Sequence, residues 1–435
     1  MSKYYDPVEA LPRAELEDMQ LAKLQTLTRY VADNSPFYQK KFEDNKIRPE
    51  DIRSLDDFRK IPFTYKQDLR NEYPYGLLAV SKDEIVRLHA SSGTTGVATV
   101  VLHTKEDIDD WAELMARSFY AAGVRRTDIL QNMSGYGMFT GGLGIHYGSE
   151  RLGCLTVPSG PGNTNRQIQF IKDFGTTVVH IIPSYALHVA AHLNKHNIDP
   201  KSLPWRIALI GAEPHTEETR RKVEKFLGLK AYNSYGLSEM NGPGVAFECT
   251  QQSGMHIWED AFFAEIVDPD TNEPMPDGEL GELILTSLNR RGMPLLRYRT
   301  RDLTRFLPST CPCGRTHRRI DRIFGRCDDM LIIKGVNIYP MQIERVLMSM
   351  PEAGENYLIE LYKEGPVDQM RVKVEIREEY FRDDMRALHA LRDKIASALR
   401  DEILITPKVE LVEYNSIPHV EGKAKRVFDL RDCEE

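Results

Sequence analysis

The sequence predicts an α/β protein with two parts. The first is a large N-terminal domain of layered sheets and helices that includes a small antiparallel β unit; the second is a small α+β domain. Three observations predict this. From residue 150 on, short apolar runs alternate with helix-periodic ones, the pattern of a layered domain with largely parallel strands. After residue 260 the runs at 262–267 and 278–286 lie close together and read as hairpins. A charged, glycine-led break, Gly325-Arg326-Cys327-Asp328-Asp329, then precedes a compact final segment with strands and helices of its own. The boundary falls at this break, giving domains 1–326 and 327–435.

A chain of 435 residues is too long for one average domain and can bury large cores without staples. Its 41% hydrophobic and 28% charged residues are ordinary for a globular protein. The net charge of −8 disfavours nucleic acid or an anionic membrane as the main partner. No apolar stretch approaches a membrane span, and Met-Ser-Lys-Tyr-Tyr-Asp lacks the apolar core of a signal peptide. Six cysteines in so long a chain do not resemble a disulfide scaffold. A cytoplasmic, enzyme-sized protein is expected.

Taken in order, residues 13–31 space Leu16, Met19, Leu21, Leu24, Leu27 and Val31 for an amphipathic helix, with Pro12 at its start. Residues 50–70 read as loop and short helix. Two β-like runs, 84–89 and 99–102, flank Ser91-Ser92-Gly93-Thr94-Thr95-Gly96. Its glycines let the backbone approach a ligand closely, and its hydroxyls can donate to phosphate oxygens. The same six residues also suit an ordinary hairpin turn. A helix follows over 105–122. The run 132–144 holds five glycines with Tyr136 and Phe139, and reads either as a flexible surface loop or as the lining of a pocket for a flat, apolar ligand. Strands are then expected at 152–157, 176–182 and 207–210, with helices at 166–174 and 185–195 between them. Two strand ends carry polar turns: Gly211-Ala212-Glu213-Pro214, and Asn233-Ser234-Tyr235-Gly236-Leu237-Ser238-Glu239. Ligands of open α/β sheets sit beyond the carboxyl ends of strands, so both turns are candidates for one crevice. In the final segment, strands are expected at 330–334, 357–362 and 370–376, and helices at 340–349 and 381–400. The second helix places Phe381, Met385, Leu388, Leu391, Ile395 and Leu399 on one face.

Six motifs in fixed order, spread over nearly the whole chain, resemble the adenylate-forming acyl-CoA synthetase superfamily. They are the loop 91–96, Gly211-Ala212-Glu213-Pro214, Tyr235-Gly236-Leu237-Ser238-Glu239, Tyr298-Arg299-Thr300-Arg301-Asp302-Leu303, Gly325-Arg326-Cys327-Asp328-Asp329-Met330 and Glu421-Gly422-Lys423-Ala424-Lys425-Arg426. The resemblance implies a two-step reaction: a carboxylate attacks the α-phosphate of ATP to leave an acyl-adenylate, and the thiol of coenzyme A then displaces AMP. It implies Lys423 as the charge that bridges carboxylate and phosphate, and Glu239 as the ligand of Mg²⁺. Ser91, Ser92, Gly93, Thr94, Thr95 and Gly96 would hold the phosphates, and Asp302 would receive the ribose hydroxyls. Glu213, Pro214 and Tyr235 would form the adenine slot, with polar contacts from Asn233 and Ser234; Gly211, Ala212 and Gly236 would belong to the same nucleotide site, while Arg326 would reach ribose or phosphate. In this family the small domain swings between two poses. Asp328 is then the hinge candidate, and Lys334, Gly335 and Tyr339 fall on the surface that faces coenzyme A. One departure stands out: many members continue the phosphate loop with a Lys-Pro pair, whereas here Val97-Ala98-Thr99 follows Gly96.

Cys311-Pro312-Cys313-Gly314 reads as half of a zinc knuckle, and Cys249 with His256, seven residues on, offers a second pair. Together they would make a closed, structural Cys₃His site, with His317 and Cys327 as competitors and unligated thiols as the alternative. The resemblance places the acyl pocket around 136–144, with Tyr136, Phe139 and Gly141 bordering the ring and Ile182, Pro183 and Ala212 opposite. That favours an arylacetate, phenylacetate before indoleacetate or a benzoate. Two other functions fit part of the pattern: transfer of the acyl group to a carrier-protein thiol, and a non-catalytic, zinc-stabilised binding module. The family also suggests a homodimer.

Overall fold

The computed structural model describes residues 2–90, 98–334, 336–364, 367–381, 384–418 and 425–431. They fall into two compact units: residues 1–181, 204–212 and 232–322 form the first, and 182–203, 213–231 and 323–435 the second. The fold is α/β, as the alternation of runs predicts.

In the first unit the helix Arg13–Asn34 buries Leu24, Leu27 and Val31 in one cluster with Phe58, Phe263 and Leu296. The strands β1 (Ile85–Ala90) and β2 (Val100–Thr104) pair antiparallel with Ala90 opposite Val100. There follow β3 (Ile129–Asn132), β4 (Leu155–Val157), β5 (Val178–His180), β6 (Ile207–Gly211), β7 (Lys230–Leu237), β8 (Gly242–Glu248) and β9 (Met255–Ile257). Next come β10 (Phe262–Val267), β11 (Gly281–Ser287), β12 (Tyr298–Thr304) and β13 (Arg319–Ile320). The large sheet runs β13-β9-β8-β7-β6-β5-β3-β4. Its β4, β3, β5 and β6 are parallel, as expected. The other side departs from the expectation: β7 with β8, β8 with β9 and β9 with β13 are antiparallel. For β7 with β8 and β8 with β9 the reason is connection length: only residues 238–241 and 249–254 separate them, and a parallel crossover needs a dozen residues or more. The β10, β11 and β12 strands form the antiparallel unit that the hairpin spacing predicts.

The glycine-rich run contains a helix the sequence reading did not place, Gly141–Leu152. A methyl group on Gly144 would come within 2.3 Å of the Trp111 ring, and one on Gly148 within 2.3 Å of Met115 Cβ. These glycines let this helix lie close against the helix Lys105–Ala121, a gain in packing that outweighs their poor helix propensity.

The second unit holds the helices Pro183–Lys195 and Glu217–Leu227, then β14 (Gly325–Arg326), β15 (Leu331–Ile333), β16 (Val336–Ile338) and the helix Pro340–Ser349. After these come β17 (Ala353–Glu364), β18 (Val367–Ile376), the helix Met385–Ile403, β19 (Lys408–Val412) and β20 (Val427–Asp429). The antiparallel pair β17–β18 is flanked by parallel β19 and β20, two strands the sequence reading did not place. The last helix buries Ile395, Leu399 and Ile403 against the apolar side chains of β17 and β18. Phe381 and Met385, expected on the same buried face, are exposed.

Candidate active site

The carboxyl ends of β6 and β7 lie almost in contact. A methyl on Gly211 would come within 2.3 Å of Ser234 Oγ, and that hydroxyl donates to the Ile210 carbonyl at 3.0 Å. Only glycine allows this approach. Ala212 leaves β6 at φ 70°, a left-handed turn that ends the strand abruptly. Asn233 donates its backbone N–H to Glu248 at 2.8 Å. Tyr235 is buried, and its hydroxyl donates to Asp302 Oδ2 at 2.6 Å, which fixes the ring and joins β7 to β12. Gly236 presses on Gly242, whose carbonyl would lie 2.0 Å from any added methyl.

Glu239 sits in the turn after β7, 5% exposed. Tyr298 donates its hydroxyl to Glu239 Oε1 at 3.2 Å, and Lys66 Nζ lies 3.5 Å from the same oxygen. Among the described residues Oε2 has no partner. Arg290 is buried behind this turn and donates to the carbonyls of Glu239 (2.6 Å) and Leu102 (3.2 Å). It therefore ties the Glu239 turn to β2, the strand that leaves segment 91–97. Burial without a bonded carboxylate pushes its pKa down to about 10. The motifs gave no sign of Lys66 or Arg290, since each acts through partners remote in sequence.

Tyr136 is half-buried; its hydroxyl accepts from Asn132 Nδ2 at 2.9 Å and lies 3.3 Å from His146 Nδ1. Phe139 is 52% exposed, and a methyl on Gly141 would meet nothing within 4 Å. The Met138 carbonyl accepts from the Ala90 backbone at 3.0 Å, which anchors the glycine-rich run to the strand that enters segment 91–97.

In the second unit, Ile182 precedes the helix Pro183–Lys195, and the Glu213 carboxylate accepts the Ser184 N–H at 2.5 Å, its pKa raised by burial. Pro214 is exposed. Arg326 grips Asp328 through two bonds of 2.9 and 3.1 Å. Lys334 turns between β15 and β16 at φ 52°, and Tyr339 packs over Gly325. Glu344, which no motif marks, accepts from Thr216 N–H (3.2 Å), Thr219 Oγ1 (2.8 Å) and Tyr357 Oη (3.0 Å). Ser91, Ser92, Gly93, Thr94, Thr95, Gly96, Gly335 and Lys423 lie outside the described residues.

Cys249, His256, Cys311 and Cys313 converge, their ligand atoms all within 4.8 Å of one another. Cys249 and Cys311 sulfurs are 3.7 Å apart, and Cys313 Sγ is 3.4 Å from His256 Nε2. The edge of a tetrahedron with zinc–sulfur bonds of about 2.3 Å is ~3.8 Å, so the spacing fits zinc. His256 donates its other ring nitrogen to the His317 carbonyl at 3.2 Å, the outer bond a metal-bound imidazole needs. His317 itself is engaged with backbone, its Nε2 lying 3.1 Å from the Val8 carbonyl.

The profile of the AMP-binding enzyme family matches residues 10–289, and that of the AMP-binding enzyme C-terminal domain matches 335–431. The chain is 47% identical to the phenylacetate-coenzyme A ligase of Thermus thermophilus, across 98% of this chain and 99% of that one. It is 44% identical to the phenylacetate-coenzyme A ligase of Escherichia coli, across 98% of each. A crystal structure of 2-hydroxyisobutyryl-CoA ligase in the postadenylation state, 29% identical, superposes with a TM-score of 0.93 over 98% of this chain and 92% of that chain.

Proposed function

The chain belongs to the AMP-binding enzyme family, among the phenylacetate–coenzyme A ligases, and from that membership we propose that the acid it activates is phenylacetate. It is an ATP-dependent acid–CoA ligase that works through an acyl-adenylate. In the first step a carboxylate oxygen bonds to the α-phosphorus, the bond to the bridging oxygen breaks, and pyrophosphate leaves with the electron pair. In the second the coenzyme A sulfur bonds to the acyl carbon, AMP departs, and the thiol proton passes to solvent.

The observation that carries the choice of acid is identity of 44–47% to four phenylacetate–CoA ligases along nearly the whole chain. The residues give it a physical basis. Tyr136, tethered at its hydroxyl, presents a fixed aromatic wall, and the space around Gly141 is open. Tyr235, held by Asp302, walls the adenine slot, and the Asp302 carboxylate accepts the ribose hydroxyls. Glu239 keeps Oε2 for Mg²⁺, which when bound offsets the charge of the triphosphate. Lys423 brings the charge that stabilises the pentavalent α-phosphorus. Domain 327–435 delivers it, with Asp328 as the hinge.

ATP–pyrophosphate exchange across a panel of acids tests this reading. Exchange is expected to be fastest with phenylacetate, and product formation to follow coenzyme A. Faster exchange with a benzoate, or acyl transfer only to a carrier-protein thiol, would overturn the choice.

The Cys249, His256, Cys311 and Cys313 cluster holds structural zinc in this reading, closing the loop before β13 onto β9. Elemental analysis is expected to find one zinc per chain. Chelation is expected to lower the thermal midpoint, because binding the metal is part of the folding free energy. A metal-free, fully folded protein with alkylatable Cys311 and Cys313 would refute it.

A further inference from the structure

Adenylation brings a carboxylate up to a triphosphate, so the site needs positive charge on the N-terminal side as well as from Lys423. Segment 91–97 does not supply it: no lysine or arginine occurs between Arg87 and Lys105. Arg290, buried behind the Glu239 turn, turns its two terminal nitrogens to the backbone carbonyls of Glu239 and Leu102. Lys66 is placed differently. Its ammonium lies 3.5 Å from Glu239 Oε1, and its side chain is 41% exposed beside a carboxylate that is only 7% exposed. It is a mobile-tipped cation at the open edge of the site, above a buried anion.

The backbone beneath it is held firmly. Thr64 donates its N–H to the Arg297 carbonyl at 3.0 Å and accepts from Arg299 N–H at 2.9 Å, pairing beside Tyr298, whose hydroxyl reaches the same Glu239 oxygen. Thr64 is thus tied to β12 by a single parallel bridge to Tyr298. Tyr65 then caps the short helix Lys66–Asn71, fixing where the lysine stem begins. A flexible stem on a fixed base lets the ammonium turn from Glu239 to an anion arriving next to it.

We propose that Lys66 is a catalytic residue of the adenylation step, its ammonium leaving Glu239 to bind a phosphate oxygen of ATP while a cation takes the vacated carboxylate. Lys66 thereby supplies the charge that segment 91–97 lacks. The proposal rests on the adenylation reading of the site.

The test compares two half-reactions in Lys66→Gln and Lys66→Arg. One is ATP–pyrophosphate exchange with phenylacetate; the other is thioester formation from synthetic phenylacetyl-adenylate and coenzyme A. Lys66→Gln is expected to slow exchange about 100-fold and raise the KM for ATP, as loss of one preorganised donor to developing charge does. Thioester formation should stay within about threefold of the parent, since no triphosphate is present, and Lys66→Arg should recover part of the exchange rate. Exchange within about threefold of the parent overturns the proposal. So does a parallel fall of both half-reactions with the thermal midpoint, which marks a structural role. Failure of the parent enzyme to exchange with any aryl acid would instead strike the function proposed above.

Discussion

Lys423→Ala is expected to slow acid-dependent ATP–pyrophosphate exchange about a thousandfold while leaving ATP binding nearly intact. Two anions meet in this step, and little covalent chemistry falls to the protein, so positioning and charge carry it. A donor aimed at charge that exists only in the transition state affects the rate more than ground-state affinity. The loss should therefore appear in kcat for exchange, with the KM for ATP changed only severalfold. Thioester formation from synthetic phenylacetyl-adenylate should survive in the same variant, because its phosphoanhydride is already made. Rapid-quench measurement of both half-reactions checks this. Equal loss in the two steps would remove Lys423 from the role assigned to it. The double variant with Lys66→Gln adds information: two charges on the same triphosphate should couple, so the combined loss should fall short of the product of the two.

Asp302→Ala is expected to weaken ATP binding about a hundredfold or more. Each hydrogen bond to a charged group contributes about 1.5–3 kcal/mol, and the Asp302 carboxylate would accept two from the ribose as well as the one from Tyr235 at 2.6 Å. Tyr235→Phe removes only the last of these. It should cost less than tenfold, since Asp302 keeps its ribose contacts and the ring still fills the slot. Titration of Mg·ATP into each variant gives both numbers. Equal effects in the two variants would mean that the Tyr235–Asp302 bond is structural and that the ribose lies elsewhere.

The parallel half of the sheet could be read from β-branched runs between helical ones, and β10 matches the run at 262–267. What escaped depended on distant partners. The helix Gly141–Leu152 reads as loop because glycine disfavours helices, and only Trp111 and Met115 explain why it is needed there. The antiparallel side, β7 to β9, was hidden because strand direction is set by connection length, not by the strands' own residues. The helix Met385–Ile403 has the expected period, but its N-terminal turn is exposed because the β17–β18 core meets only its later part. In the site, Tyr235, Glu239 and Asp302 stand in motifs; the sequence offered the turns at 211–214 and 233–239 as candidates for one crevice, and the resemblance added Asp302. Arg290 and Lys66 stand in none, and only the fold brings them to the Glu239 turn. The four zinc-spaced residues were legible as two pairs; pairing β9 with β13 brings the pairs together.

The fate of oxygen tests the central claim most directly. With phenylacetate carrying oxygen-18 at both carboxylate positions, turnover with ATP and coenzyme A should place one labelled oxygen in AMP, keep one in the thioester and leave pyrophosphate unlabelled. Label in inorganic phosphate, with ADP as the nucleotide product, would contradict attack at the α-phosphorus and the adenylate with it.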